Sequence, residues 1–304
     1  MKISSMLKFI YEELTMSKWN IGFTGNSPDL ILTSKKPRIK YLKHDYKNKW
    51  FADPFILNMT ENEIDLLVEE YDNKIKKGRI AKLVISRNNL RLISMKIVLD
   101  LESHLSFPAI YRVDNEVYVC PENSQSGGYF RYTYDFSSEK LINPELIINK
   151  PLTDAVEFQI NNVNYIFSTK LPNPHGNKLY IFSNDDEGNK FKVKQEVILS
   201  DKTARSAGHL LKVKGKLIRP AQDCNKSYGK GLVFQEIINK NGRFKVKELK
   251  RVYNTSIKYG LGMHTFNTFG NVAVVDVSGY KYIILGRICN TLRVFIKYIY
   301  QFFK

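Results

Sequence analysis

The chain has 304 residues, 43% of them hydrophobic and 25% charged, which supplies a sizeable core and excludes wholesale disorder. Its 47 Lys and Arg outnumber 30 Asp and Glu, and a formal net charge of +17 favours polyanionic partners, unless the lysines are simply scattered over a solvated surface. No run of about 18 uncharged apolar residues occurs, so no transmembrane helix is predicted.

The opening, MKISSMLKFIYEELTMSKWN, holds a short apolar run followed by Glu12 and Glu13. No small-residue cleavage site follows, so residues 1–18 read as an N-terminal extension rather than a secretory signal. Cys120, Cys224 and Cys289 are widely spaced with no C-x-x-C, which fits a reducing cytoplasm and argues against a disulfide framework or a zinc ribbon. No RNP, zinc-finger or other nucleic-acid signature accompanies the positive charge, so nucleic acid is not expected as a partner.

The middle of the chain reads as strands. FADPFILNM, EIDLLVEEY, RIAKLVIS, YFRYTYD, KLYIFSND and LVFQEII are short, rich in β-branched and aromatic residues, and separated by Asn, Asp, Gly and Pro. Hairpin turns are predicted at Asp114-Asn115, Asn161-Asn162 and Lys214-Gly215. Polar-headed strand starts recur at Asp53 (WFADPFI), His104 to Ser106 (SHLSFPAIY), Asp154 (TDAVEFQI), Arg205 to His209 (ARSAGHLL) and His264 (GMHTFN). From Asp53 the successive spacings are 51, 50, 51 and 59 residues. A period near 50 with about four strands per unit predicts an all-β fold, a five-bladed β-propeller over residues 19–286. A pair of β-sandwiches would also give many short strands. In a propeller the first strand of each blade lines the central channel, so the five polar heads would converge at one mouth. WNIGFTGNSP (19–28) would supply a strand that closes the ring against the last blade. In the tail, residues 287–304, Ile288, Leu292, Phe295, Ile299 and Phe302 recur at helical spacing among Arg287, Arg293, Lys297 and Lys304. That pattern predicts a basic amphipathic helix, for a bilayer interface, for the propeller's own side or for a partner.

The words HLSFPAIYRVDNEVYVCPEN, DAVEFQINNVNYIFST, ARSAGHLLKVKGKLIRPAQDCNKSYGKGLVFQEI and GMHTFN resemble the N-terminal domain of plant glucosamine inositolphosphorylceramide transferase and its stand-alone bacterial relatives. WFADPFI also resembles the first-blade motif of the five-bladed propellers of glycoside hydrolase families 43 and 32. The resemblance runs from about Trp19 to Asp276. It implies a five-bladed propeller associated with building surface glycans or glycolipids. It does not hand over a reaction, because in the plant enzyme a separate glycosyltransferase domain follows.

Glycosidic bonds are broken or made between two carboxylates on opposite sides of the sugar. Asp53 heads blade one and Asp154 heads blade three, which would set them across the funnel. In the hydrolase propellers the first-blade Asp is base or nucleophile and the third-blade acid, usually Glu, is the proton donor. Here Asp154 stands at that head, with Glu157 three residues on and, by period-two alternation, on the opposite face. The hydrolases' usual second-blade Asp is replaced by His104, Ser106 and Pro108. Arg205 and His209 are candidates to clamp a carboxylate, phosphate or sugar hydroxyl, or to form an inter-blade salt bridge. Arg219 and Asp223 are substrate-facing or brace one another or a blade corner. His264 offers a sugar contact or a buried structural histidine, and Glu122 ends a strand near the mouth. Tyr228 and Trp50 are stacking candidates. The five histidines never fall at metal-ligand spacing, no Gly-rich phosphate loop or nucleophile elbow occurs, and no metal or cofactor is expected.

These residues predict a carbohydrate-active propeller of surface polysaccharide or glycolipid biosynthesis. Its chemistry would be glycosyl-transferring or glycosidase-like, with Asp53 and Asp154 catalytic. The expected partners are a glycan or sugar-nucleotide substrate, a lipid-linked acceptor and a membrane surface met through residues 287–304. The expected location is the cytoplasm, at the inner face of the cell membrane. The alternatives are a non-catalytic glycan-binding or scaffold propeller that presents an acceptor to a separate glycosyltransferase, and an interaction hub that uses the propeller rim.

Overall fold

A computed structural model of the chain describes residues 3–25, 31, 33, 37–184 and 190–302. Twenty strands form five four-stranded antiparallel sheets arranged as the blades of a propeller. Blade I holds β3 (Lys49–Met59), β4 (Glu63–Asp72), β5 (Lys77–Ser86) and β6 (Leu92–Leu99). Blade II holds β7 (Ser106–Val113), β8 (Glu116–Glu122), β9 (Tyr129–Asp135) and β10 (Lys140–Ile148). Blade III holds β11 (Leu152–Ile160), β12 (Val163–Lys170), β13 (Lys178–Ser183) and β14 (Lys192–Ile198). Blade IV holds β15 (Leu211–Val213), β16 (Lys216–Asp223), β17 (Gly231–Lys240) and β18 (Arg243–Val252). Blade V is built from both ends of the chain: β19 (Phe266–Phe269) and β20 (Val272–Tyr280), then β1 (Ser17–Gly25) and β2 (Lys40–Tyr41).

That last blade closes the ring. β1 pairs with β20 along its whole length, from Ser17 opposite Tyr280 to Gly25 opposite Val272. The closing strand expected at residues 19–28 is therefore present through Gly25; residues 26–28 lie outside the described residues.

Burial grades from the axis outwards. Residues 51–57 of β3 are buried without interruption, whereas outer strand β14 is mostly exposed and carries the charged sequence KVKQEVI. An inner strand is covered on both faces; an outer strand is an edge, and charge there blocks pairing with another chain. The core lies between blades: Phe55, Ala109, Val156 and Ile237, from blades I to IV, share one apolar cluster, and Phe234, Phe266 and Val275 link blade IV to blade V.

The tight turns follow local chemistry. Asn161-Asn162 and Lys214-Gly215 have positive φ at both positions, the type I′ pattern whose twist suits a hairpin, and Asp114 also has positive φ. All three turns stand where the sequence places them.

Two helices flank blade V, α1 (Ile3–Leu14) and α2 (Ile283–Phe302). The N-terminal extension is thus helical, and the tail helix starts four residues earlier than residue 287. Inner strands run from the mouth to the far end and their neighbours alternate, so β20 ends, and β1 begins, at the mouth. Both helices therefore join the propeller on its mouth side. No helix among the described residues is long and apolar enough to cross a membrane.

Candidate functional site

The mouth is built from the heads of the inner strands. β3, β7 and β11 each carry a bulge just inside the mouth, where the register slips between Ala52 and Phe55, Ser106 and Ala109, and Thr153 and Val156. At each bulge one residue takes left-handed φ: Asp53 (50°), Phe107 (43°) and Asp154 (43°). A non-glycine residue costs about 1–3 kcal/mol in such a conformation. The bulge turns the Asp53 and Asp154 side chains into the channel and their amides toward a neighbouring carboxylate. The Asp53 amide donates to Asp276 Oδ2 (3.1 Å), the Phe107 amide to Asp53 Oδ2 (3.2 Å) and the Asp154 amide to Glu122 Oε2 (3.1 Å).

One group of residues surrounds Arg205. Its guanidinium forks onto Asp154, Nε to Oδ2 at 2.6 Å and Nη2 to Oδ1 at 3.1 Å, and Nη2 also reaches Glu122 Oε2 at 2.9 Å. Gln222 Nε2 adds a bond to Asp154 Oδ2 (2.6 Å), and Ser124 Oγ donates to Glu122 Oε1 (3.1 Å). His175 Nδ1 lies 3.3 Å from Arg205 Nη1. Burial alone would raise the Asp154 carboxyl, but the Arg205 charge and these donors hold it below the usual carboxylate range. Glu122 moves the other way: burial raises it well above the ordinary value, against Arg205, and the Asp154 charge adds to the rise. Two carboxylates share one cation: the one it forks onto is lowered and the other is raised.

A second group surrounds His264. Asp276 Oδ1 accepts the amides of His264 (2.8 Å) and Thr265 (3.0 Å), and Asp276 Oδ2 pairs with His264 Nδ1. Thr265 Oγ1 donates to Asp53 Oδ1 at 2.6 Å, and His264 Nδ1 lies 3.9 Å from the same oxygen. Burial would lower His264, but Asp276 and Asp53 hold it up at about 9, so it is an imidazolium at neutral pH. Burial raises Asp53 to about 7; His264 opposes the rise, and the charges of Asp154 and Asp276 add to it. Trp19 stacks flat on the His264 ring (4.1 Å, 14°), and Tyr228 meets it edge-on at 5.1 Å. Tyr228 is 44% exposed and roofs the mouth, with the Arg205 guanidinium 5.4 Å from its ring.

The donor atoms of Asp53, His264 and Asp276 all lie within 4.8 Å of one another, a spacing that a metal ion requires and that the sequence spacing does not reveal. Here the three groups engage one another: both Asp276 oxygens and both Asp53 oxygens accept hydrogen bonds, and Asp276 pairs with His264 Nδ1.

The remaining candidates disperse. Ser106 is buried in register with Glu122. His104 turns to the seam between blades I and II, where Nε2 meets Glu69 Oε1 at 3.2 Å and Nδ1 accepts the Gly78 amide; Glu69 raises it against burial. His209 sits deeper, edge-on to Phe55 and Tyr111, and burial lowers it to about 4. Arg219 is fully buried inside blade IV on Gln235 Oε1 (2.7 Å) and the Thr203 and Ala204 carbonyls. Asp223 pairs with Arg251 (3.1 Å) and Tyr253 (2.6 Å), so Arg219 and Asp223 each brace blade IV without touching one another. Trp50 stacks on Tyr71 at 4.6 Å. Glu157, beside Arg131 at 3.1 Å and Tyr129 at 3.3 Å, is held away from Asp154.

Sequence reasoning passed over Trp19, Glu69, His175, Gln222, Thr265 and Asp276. The available signal for Asp276 and Glu69 is an acid inside an apolar strand, AVVDV and LLVEE, because a buried charge needs a partner.

Three comparisons bear on this site. The family model for the N-terminal region of glucosamine inositolphosphorylceramide transferase 1 matches residues 38–270. The chain is similar to that transferase from Oryza sativa subsp. indica (28% identical over 200 residues, 63% of this chain and 27% of the relative). It is also similar to the one from Arabidopsis thaliana (26% over 199 residues, 62% and 26%). The chain thus spans about a quarter of the length of these curated relatives. In fold it is similar to an α-L-arabinofuranosidase from Podospora anserina (TM-score 0.54, 9% identity, 86% of this chain and 98% of that one). A glycoside hydrolase family 43 β-1,3-galactosidase gives a TM-score of 0.51 at 10% identity, over 69% of this chain and 81% of that one.

Proposed function

The chain belongs to the family of the N-terminal domain of glucosamine inositolphosphorylceramide transferase 1, and from that footing we propose a carbohydrate-active propeller that acts on a glycosidic bond in its funnel during surface polysaccharide or glycolipid assembly. The observation that carries the reading is the pair of bulged inner strands. Each spends left-handed backbone strain on aiming one aspartate, Asp53 or Asp154, at the axis.

In this reading Asp53 is the base. Its value of about 7 suits proton transfer near neutral pH. The sequence expects Asp154 as the acid; in the structure Arg205 lowers Asp154 while burial raises its neighbour Glu122, so this reading gives the acid's part to the coupled pair and the proton to Glu122. In one displacement Asp53 takes the proton of an acceptor hydroxyl or water, whose oxygen bonds to the anomeric carbon. The bond to the leaving oxygen breaks with its electron pair, and the Glu122 proton goes to that oxygen. Trp19 and Tyr228 offer apolar faces to a sugar ring. The substrate class is a glycan or sugar nucleotide with a lipid-linked acceptor. The work is placed at the inner face of the cell membrane, which the basic α2 would meet.

The second reading is a binding propeller that presents an acceptor to a separate transferase. The closed ion pair of Arg205 with Asp154 and Glu122 favours it.

The test is mass spectrometry of products after incubation with pooled nucleotide sugars and glycan acceptors. A product made by the wild type and reduced at least about 100-fold in Asp53→Asn supports the catalytic reading. Retained glycan binding with no product from either protein supports the binding reading.

A further inference from the structure

On the mouth side of blade V, between β1, β2 and the start of α2, lies a cleft of about 640 Å3. Its cations outnumber its single carboxylate, Asp45, which Arg91 already engages at 2.7 Å. Lys49 is satisfied by Glu70 and Asp72, and Lys281 by Glu13. Lys18, Lys43 and Lys258 also line the cleft with no carboxylate within ion-pair distance among the described residues; Lys18 Nζ donates to the Lys47 carbonyl, and Lys258 Nζ lies 5.0 Å from the Tyr259 ring. Burial lowers Lys18, and the charge of Lys281 adds to that; burial also lowers His44, against Asp45, with smaller contributions from Lys18 and Lys258. His44 Nδ1 is buried without a hydrogen-bond partner. Three lysines without a carboxylate partner, lining one cleft beside a buried unpaired imidazole nitrogen, favour an anion.

We propose that this cleft binds a phosphate ester through Lys18, Lys43 and Lys258. Trp19 sets its place relative to the funnel, because it lines the cleft and stacks on His264 at the axis. A ligand whose phosphate sits on the lysines would extend its sugar past Trp19 toward Asp53. In that respect the inference rests on the funnel reading and gives it a phosphate subsite. Arg287, in the first turns of α2, donates to the Ile257 carbonyl at 3.1 Å, so the loop carrying Lys258 is tied to that helix. The phosphate could come from a soluble nucleotide sugar or from a lipid head group; the chemistry is the same.

The experiment titrates the full chain with inorganic pyrophosphate and with monomeric dihexanoyl phosphatidic acid, read by tryptophan fluorescence and calorimetry. Three proteins are compared: wild type, K18Q/K43Q/K258Q, and a charge-matched control, K212Q/K214Q/K240Q, changed on exposed lysines of blade IV. Thermal melts confirm that all are folded. Binding by wild type and control, weakened at least about tenfold in the cleft variant, is expected. Preference for pyrophosphate assigns a soluble source, and preference for the short-chain lipid a head group. Equal weakening in both triple variants, or no saturable binding by wild type, overturns the proposal. Asp53→Asn should bind pyrophosphate like wild type, so a failed funnel reading and a failed cleft are distinguishable.

Discussion

At the scale of single residues, the mouth is an economy of few cations among many carboxylates. Arg205 compensates Asp154 and Glu122 together, with a side chain only 9% exposed. Arg205→Met leaves two acids without their cation and is expected to cost about 3–5 kcal/mol in chemical denaturation. Adding Asp154→Asn should recover part of that loss, whereas a purely steric role for Arg205 would show no recovery. His264 sets a pH dependence. Its folded value, about 9, lies above the ordinary 6.5, so the folded state holds the proton more tightly than the unfolded chain. The stabilisation is complete below about pH 6.5 and is lost as pH rises through about 9, on the order of 3 kcal/mol across that window. Urea midpoints measured from pH 6 to 10 should fall for wild type and flatten for His264→Gln; an unchanged slope in the variant would assign the effect elsewhere. Asp53, Asp154 and His264 were legible from their positions at strand heads. Asp276 and Gln222 were not, because they sit on second strands and become neighbours of the axis only when the blades close.

At the scale of elements, the strand heads work because the backbone departs from regular pleating there. Period-two alternation correctly separates Asp154 from Glu157, yet it does not contain the bulge that slips the register between Thr153 and Val156. Blade IV reaches the axis by a different device. Gly208 has φ 149°, and a Cβ there would fall 2.0 Å from the Phe266 carbonyl oxygen. Phe266 N in turn donates to the Ala207 carbonyl at 2.6 Å, so this contact joins blades IV and V. Gly208→Ala is expected to destabilise by at least about 3 kcal/mol in calorimetry, with a loss of soluble yield. A change under about 0.5 kcal/mol would mean that the seam can open. The hairpin turns were readable because two residues with positive φ have a narrow chemistry, Asn, Asp or Gly. The bulges were not, because a single Asp or Phe inside an apolar strand does not mark a register slip, which only the partner strand reveals.

At the scale of the molecule, the chain's two ends meet in blade V, which places α1, α2 and the lysine cleft on the side where the funnel opens. Much of α2 faces solvent, with Ile284 73% and Phe295 59% exposed, and its described sequence has cations but no acids. An apolar face that large invites a cover, and basic residues beside it favour anionic lipid. Removing residues 287–304 is expected to reduce co-sedimentation with phosphatidylserine vesicles at least about tenfold while leaving the thermal melt of the propeller unchanged. Equal sedimentation of the truncated chain would move the contact to another surface. The sequence by itself determined the number of blades, the closing strand and the three hairpin turns, because each is written in a repeat or in local backbone chemistry. Only the tertiary structure decided which carboxylate Arg205 forks onto, that Arg219 and Asp223 bond within blade IV, and that the cleft shares Trp19 with the funnel. Those properties depend on contacts between side chains distant in the chain, such as Lys281 and Glu13, 268 positions apart, and on burial that no local pattern encodes.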